Sequence, residues 1–398
     1  MTTIRKIESR PGQRLLAVSD IHGHLNRLVQ LLRKMNYGGD DILIVVGDLI
    51  DKGPESLRVV QYLMDLCRRR PVYVSMGNVE QYRLQMLRNA AGNGDARREF
   101  AEYLQWSAKA WGTSLFQEML SDLGVPVSRV TAENAAGYIS LIQEQFREEL
   151  EFLRSRPTIL TAGSYLFVHG GVPTDDLPAL AGTDAVPYLK NDNFLNQGYS
   201  FQNYTVVTGH WPTCLYRQDE ENVSPLFDRE RRILCIDGGC GLKYTGQLNG
   251  VMFPGSNAEM EEITWTSCDD FRVVTAADAQ SAQPISVHVQ YFDSAVEVLE
   301  EKGKLGRVRQ LSSGREFDVP LAMVKRWGDG RLHCGDYCDG RLAVEPGEQL
   351  SVILETETGR YVKKRGEIGW YGGAVLDGKE GPGPKEEYAP VFAESAGE

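Results

Sequence analysis

Six short runs carry the same kinds of side chain behind apolar stretches. Asp20-Ile21-His22-Gly23 follows "RLLAVS", Gly47-Asp48-Leu49-Ile50-Asp51-Lys52-Gly53 follows "DILIVV", and Gly77-Asn78-Val79-Glu80 follows "PVYVSM". Farther along, His169-Gly170-Gly171, Gly209-His210 and Asp237-Gly238-Gly239 follow "SYLFV", "NYTVVT" and "RRILCI". In open α/β sheets ligands bind at the carboxyl ends of the strands. Glycine there lets the backbone approach a ligand without interference from a Cβ. Asp20, Asp48, Asn78, His22, His169 and His210 together offer carboxylate, amide and imidazole donors. That set suits Mn, Fe or Zn better than a thiolate-seeking metal. A carboxylate can bridge two ions about 3.5–4 Å apart, and such a pair activates water and stabilises a transferring phosphoryl group. Each piece alone has an ordinary reading, since Gly-Asp and His-Gly-Gly are common turns. The joint pattern outweighs it: of six histidines, three end strand-type runs.

The elements that position these groups follow from hydrophobic period. The run 14–20 reads as a buried strand, and 24–35 as a helix with Leu25, Leu28, Val29, Leu32 and Met35 on one face. Gly38-Gly39 breaks the chain before a second strand, Pro54 starts a second amphipathic helix, and "PVYVSMGN" is a third strand. This βαβαβ order predicts a mostly parallel sheet with right-handed crossovers. Residues 81–156 are rich in Glu, Arg, Gln, Leu and Ala and read as a helical insertion. Its place after a catalytic strand suits a lid. The strands then resume, giving an expected first domain over 1–275 and a linker near 276–283. Short β-type runs with Gly-rich turns over 284–376 predict a small all-β domain. The Gly-, Pro- and Glu-rich stretch 377–398 reads as a disordered tail.

Composition excludes several classes. A net charge of −12 gives no broad attraction to nucleic acid or anionic lipid. No apolar run reaches the length of a membrane span, and "MTTIRKIESRPGQR" lacks the apolar core of a signal peptide. Seven scattered cysteines, an odd number, predict reduced thiols and a cytoplasmic location.

The ordered motifs "DIHG", "GDLIDKG", "GNVE", "HGG" and "GH" resemble those of calcineurin-like metallophosphoesterases. The branch they look most like holds phosphoprotein phosphatases and symmetrical bis(5′-nucleosyl)-tetraphosphatases. The resemblance covers roughly residues 14–255 apart from the insertion. It implies an α/β fold with a β-sandwich core flanked by helices, to which the chain adds the helical insertion and the C-terminal all-β domain. It implies two metal ions, with Mn foremost and Fe or Zn as alternatives. Asp20, His22 and Asp48 would hold one, and Asp48 would bridge to the second, held by Asn78, His169 and His210. Hydroxide held between the metals would attack a phosphomonoester or phosphoanhydride on a protein or nucleotide. The C-terminal β domain is a candidate surface for a protein partner.

The departures from the family pattern bear on mechanism. Lys52 stands where the family has a phosphate-binding arginine, and Lys190 is the one basic residue between His169 and His210. A lysine supplies a point charge without a bidentate fork. Both are candidate substrate-binding residues. Val79 stands where the family has the histidine that protonates the leaving oxygen. Asp51 thereby loses its usual partner; backbone amides or Lys52 could take it up, or Asp51 could itself serve as the acid. His24 is a second stand-in. A general acid contributes about 10²–10⁴-fold, most for poor leaving groups. The expectation is therefore a preference for phosphoanhydrides, aryl phosphates or phosphotyrosine over phosphoserine. The alternative is a weakly active or inactive module that recognises phosphate through partner binding.

Overall fold

The computed structural model describes residues 1–376, so the tail expected to be disordered lies outside the described residues. Two compact units are present. The first comprises Met1–Pro212, Pro225–Gly241 and Leu248–Cys268.

Its strands are β1 (Ile4–Lys6), β2 (Leu15–Val18), β3 (Ile42–Val46), β4 (Val72–Ser75), β5 (Ile159–Ala162) and β6 (Tyr165–Val168). They continue with β7 (Thr205–Thr208), β8 (Leu226–Asp228), β9 (Ile233–Cys235), β10 (Leu248–Phe253) and β11 (Thr264–Cys268). Its helices are α1 (Leu25–Lys34), α2 (Ser56–Arg69), α3 (Asn78–Gly92), α4 (Gly94–Trp111), α5 (Leu115–Asp122), α6 (Ala135–Gln145) and α7 (Arg147–Arg154). Two short turns, α8 (Leu177–Leu180) and α9 (Val186–Leu189), follow.

One sheet has the order β11-β10-β2-β3-β4, and the other β1-β5-β6-β7-β9-β8. The expected βαβαβ run is present as β2, α1, β3, α2, β4, with Leu15 opposite Ile42 and Leu43 opposite Val72 in parallel register. The strands of both faces are apolar because both faces are covered. Leu16, Val18, Leu43 and Val45 meet α1 and α2 through Leu28, Leu31, Val60 and Leu63. Their neighbours Leu15, Ala17, Ile42, Ile44 and Val46 point the other way, onto Leu160, Phe167, Val207 and Leu234 of the second sheet. This second core makes the unit a sandwich, with the helices on the outer face of the first sheet.

The edge strand β1 pairs in parallel with β5 through Ile4 and Ile159. Three residues with one apolar side chain carry too little periodicity to announce it. The helical segment runs through α3–α7, and its first turn begins at Asn78, inside the strand-end motif. Phe100, Leu104, Phe116, Ile139 and Leu150 belong to the same core as the helix layer. α5 also caps α2: the Glu118 carboxylate accepts the N–H groups of Ser56 and Leu57, each at 2.8 Å. These are the orphan donors of a helix start.

The second unit takes Thr213–Ser224, Leu242–Gln247 and the chain from Asp269. Among the described residues it holds two five-stranded sheets. One contains Gln349–Thr356, Gly359–Lys364 and Glu367–Tyr371; the other is built on Ala295–Lys302 and Leu305–Gln310. Val274, Leu350, Val352, Val362 and Tyr371 pack in its core. Among the described residues, no helix is long and apolar enough to cross a membrane.

Burial pushes the Glu118 carboxyl up to about 7, against the two amide bonds that favour its charged form. The folded chain therefore holds this proton more firmly than the unfolded chain, whose value is 4.5. Its contribution to stability is full below that value and is lost as pH rises through about 7. E118Q cannot titrate, so its Tm should fall less steeply than the wild type's across this window in thermal unfolding. Equal slopes would remove Glu118 as a source of the dependence.

Candidate active site

Six non-glycine residues at the strand ends adopt left-handed backbone conformations: Asp20 (φ 54°), His22 (45°), Asp48 (50°), Asp51 (63°), Lys52 (65°) and His210 (67°). Each such residue costs on the order of 1–3 kcal/mol and persists where its surroundings over-determine it. Here hydrogen bonds continue past the ends of β2 and β3. The N–H groups of Asp20, His22 and Gly23 donate to the carbonyls of Gly47, Asp48 and Leu49 at 3.1, 3.0 and 2.8 Å. The Glu80 carboxylate gathers four more donors: Gly77 N and Asp48 N at 3.0 Å on Oε2, Leu49 N at 2.8 Å and Ile50 N at 3.3 Å on Oε1. Gly47 and Gly77 permit this approach. A Cβ on Gly47 would lie 2.6 Å from Gly77 Cα, and one on Gly77 would lie 2.2 Å from Asp48 N.

The loops so held bring the six predicted donors together. His22 donates from Nδ1 to Ile50 O at 3.1 Å, and His169 from Nδ1 to Val46 O at 2.9 Å. Both rings therefore turn Nε2 inward, the orientation that a ligating imidazole needs. His22 Nε2 lies 3.6 Å from Asp48 Oδ2 and 3.9 Å from Asp20 Oδ1. His169 Nε2 lies 3.2 Å from Asp48 Oδ1 and 2.9 Å from Asn78 Oδ1. Asp48 thus turns one oxygen toward each histidine. The His210 ring meets the His169 ring edge-on at 5.2 Å, and the His210 backbone N–H donates to Asp20 Oδ2 at 3.0 Å.

The electrostatics call for a cation. Burial, with Asp48 adding to it, raises Asp20 to about 6, although the His169 charge opposes this. Asp20 Oδ1 is buried with no hydrogen-bond partner. Burial penalises the charge on Asp48 too, yet His169, His22 and Lys52 hold it well below the usual carboxylate range. Burial also opposes a proton on His169, but Asp48 and Asp20 push it up to about 10, so a proton stands where positive charge is wanted. Burial and Lys52 push His22 down to about 3, leaving its imidazole neutral. Carboxylates, neutral imidazole, an amide oxygen and an orphaned buried oxygen fit the hard-to-borderline cations inferred from sequence.

The remaining candidates have other partners. Lys52 Nζ reaches 3.3 Å from His22 Nε2, at the rim of the cluster. Lys190 binds both oxygens of Asp192 at 3.0 Å, and Asp192 Oδ1 also meets His210 Nε2 at 2.7 Å. His24 is buried at the start of α1, where its ring packs against Gly53 and Gly241. Val79 is buried too, and its N–H donates to Asp48 Oδ1 at 3.0 Å. Asp51 finds its partners in the helical segment. Its Oδ2 accepts from Arg83 Nε at 2.6 Å and Tyr103 OH at 2.7 Å, and its Oδ1 from Leu115 N at 3.0 Å. Of the two partners expected from sequence, a backbone amide is present in Leu115 N, and Lys52 supplies none of these bonds. With both oxygens engaged and the side chain buried, Asp51 is a tether for the helices.

Several residues were missed in the sequence. Glu80 occupies the third position of α3, a capping-box spacing that could have revealed it. Arg83 lies one helical turn after Val79, and its guanidinium also covers the Tyr103 ring at 4.1 Å. Asp237 was quoted as a strand end without a role. Its Oδ2 is buried without a partner, and burial together with Asp20 raises it well above the carboxylate range. Asp192 and Tyr103 had no local signal. In the second unit, Cys214, Glu221 and Asp336 form another buried group. There Asp336 meets Lys243, and Glu221 meets His288 at 3.1 Å, so each carboxylate has a basic partner.

Removing the guanidinium from Asp51 leaves a buried carboxylate without a cation. Arg83→Met should therefore cost about 3 kcal/mol in urea unfolding. In the double variant with Asp51→Asn, the loss should be smaller than the sum of the single losses. Additive losses would show that the two side chains do not act as a pair.

A sequence profile of the calcineurin-like phosphoesterases matches residues 13–239. The symmetrical bis(5′-nucleosyl)-tetraphosphatase of Pseudomonas putida (strain GB-1) is 24% identical over 260 residues, 56% of this chain and 85% of that protein. Serine/threonine-protein phosphatase 2 of Escherichia coli (strain K12) is 35% identical over 94 residues, 23% of this chain and 41% of that protein. A solved protein serine/threonine phosphatase from Saccharomyces cerevisiae aligns with a TM-score of 0.39 at 12% identity, covering 71% of this chain and 87% of that one. Because the profile spans more than half of its residues and the strand-end donors meet in one buried cluster, this chain belongs to the calcineurin-like phosphoesterase family and is a phosphoester hydrolase.

Proposed function

We propose that this hydrolase uses two metal ions to cleave phosphomonoesters or phosphoanhydrides of proteins or nucleotides, with a preference for good leaving groups. The observation that carries the reading is Asp48, with one oxygen facing His22 and the other facing His169, whose Nε2 also meets Asn78. A shared carboxylate of this kind supports two adjacent sites. Asp20, His22 and Asp48 would hold one ion, and Asp48, Asn78, His169 and His210 the other. Metals there, manganese foremost, supply Lewis acidity toward a phosphoryl oxygen and lower the pKa of an attacking water.

The chain's own residues set the rest. The Nδ1 bonds to Ile50 and Val46 aim two imidazoles inward, and Glu80 keeps their loops in place. Lys52, beside His22, supplies positive charge for a phosphate oxygen. Lys190 can join it only by leaving Asp192. Val79 offers no proton, Asp51 is committed to Arg83 and Tyr103, and His24 is packed between glycine loops. Water is therefore the proton source for the departing oxygen in this reading. The seven cysteines form no disulfide among the described residues, in keeping with the reducing, cytoplasmic setting expected from the sequence.

With Mn²⁺ present, the protein should hydrolyse p-nitrophenyl phosphate, and Asp48→Asn should abolish turnover. An alkyl phosphate should react more slowly than the aryl ester by about 100-fold or more, the contribution that a general acid ordinarily makes. Equal rates would reveal an unrecognised acid. Metal binding without turnover of any ester would instead favour a phosphate-recognition module.

A further inference from the structure

Two of the three imidazoles in the cluster are aimed by backbone. His22 and His169 donate from Nδ1 to the carbonyls of Ile50 and Val46, which turns Nε2 inward. His210 is held the other way round, and by a side chain: its Nε2 lies 2.7 Å from Asp192 Oδ1. A carboxylate oxygen only accepts, so Nε2 carries the proton and donates it. In a neutral imidazole Nδ1 then keeps the lone pair, and it is the nitrogen left for an ion. The backbone on either side of the ring is already fixed. The His210 N–H donates to Asp20 Oδ2 and the Gly209 N–H to His169 O, each at 3.0 Å. What remains free is rotation of the side chain, and the Asp192 bond removes that freedom.

The loop that carries Asp192 is docked on the strand end that carries His169. Gly170 N–H donates to Tyr188 O at 2.7 Å. A Cβ on Gly170 would lie 2.8 Å from Leu189 C and 2.9 Å from Asn191 N, so a glycine beside His169 is what lets the loop approach. The Asp192 carbonyl accepts from Gln197 Nε2 at 3.0 Å, and the next residue, Asn193, turns the chain in a left-handed conformation (φ 58°).

The ion pair with Lys190 does not account for Asp192. The Lys190 and Asp192 side chains are 34% and 48% exposed, whereas that of His210 is only 9% exposed. An exposed pair contributes little to stability. A carboxylate behind an imidazole, by contrast, sets the tautomer, aims the ring and makes it a better donor.

We propose that Asp192 is a positioning residue of the active site, which holds the His210 ring so that Nδ1 serves the second ion. The inference rests on the two-metal reading above. His22 and His169 have neutral carbonyls behind them, so of the three rings His210 alone has an ionised partner, and its hold on an ion depends on a side chain that substitution can remove.

The test uses the full chain, stripped of metal and titrated with Mn²⁺ in equilibrium dialysis. Asp192→Ala should weaken one of the two ions about 10–100-fold and leave the other nearly unchanged. Asp192→Asn, whose amide oxygen still accepts from Nε2, should lose less. Lys190→Met should bind both ions as the wild type does. Three results overturn the proposal: equal binding by the wild type and Asp192→Ala, the same loss at both ions, or the same loss in Lys190→Met as in Asp192→Ala. If the wild type binds fewer than two ions, the two-metal reading fails, and imidazole ¹⁵N NMR of the metal-free protein decides the positioning role by itself. A His210 ring protonated at Nε2 in the wild type and a mixture of tautomers in Asp192→Ala support it; the same tautomer population in both rejects it.

Discussion

One buried carboxylate, Glu80, holds the backbone on which the site is built. It accepts N–H groups from Gly77, Asp48, Leu49 and Ile50, and so joins the loop after β3 to the start of α3. Burial and the nearby Asp48 raise Glu80 to about 7, so these four donors are what make its presence tolerable. The left-handed conformations of Asp48, Asp51 and Lys52 lie in the same loop. Without such a clamp the loop would relax toward ordinary backbone conformations, and Asp48 would cease to face two histidines at once.

Charge imposes the second constraint. Asp20, Asp48 and Asp237 are buried near one another, and Asp20 and Asp237 keep oxygens without partners. Such a group is costly unless cations balance it. Within the chain that balance comes from a proton on His169 and the ammonium of Lys52. Both are small positive charges at the positions that divalent ions would relieve. The need for cations is thus a property of the fold, visible in the burial of the carboxylates.

Where the family resemblance places a histidine, Val79 stands, and the partner of Asp51 lies one helical turn away. Side chains on a helix lean toward its N-terminus, so Arg83 reaches back over Val79 toward the strand end. It meets Asp51 together with Tyr103 from α4 and the backbone of Leu115 at the start of α5. The helical segment is thereby fastened to the catalytic loop through Asp51. A guanidinium remains charged and donates no proton at ordinary pH. The partner of Asp51 is therefore a cation that offers no proton.

The strands that end in Asp20, Asp48 and Asn78, the helices between them and the six donor residues were legible in the sequence. Buried parallel strands are continuous apolar runs, and a ligand set at strand ends is bounded by glycines. The division of the strands between two sheets was not, because a strand covered on both faces looks the same whichever sheet it joins. β1 was too short to show a period. Arg83, Tyr103, Asp192 and the pairing of Lys190 were also beyond reach, since each contact depends on segments that only folding brings together; Tyr103 lies 52 positions from Asp51. Sequence by itself determined which chemical groups stand at the carboxyl edge, because local periodicity and turn chemistry are written residue by residue. Tertiary structure alone decided which of them are buried, which way each oxygen and ring nitrogen faces, and what partners Asp51, because burial and long-range contact are properties of the packed chain.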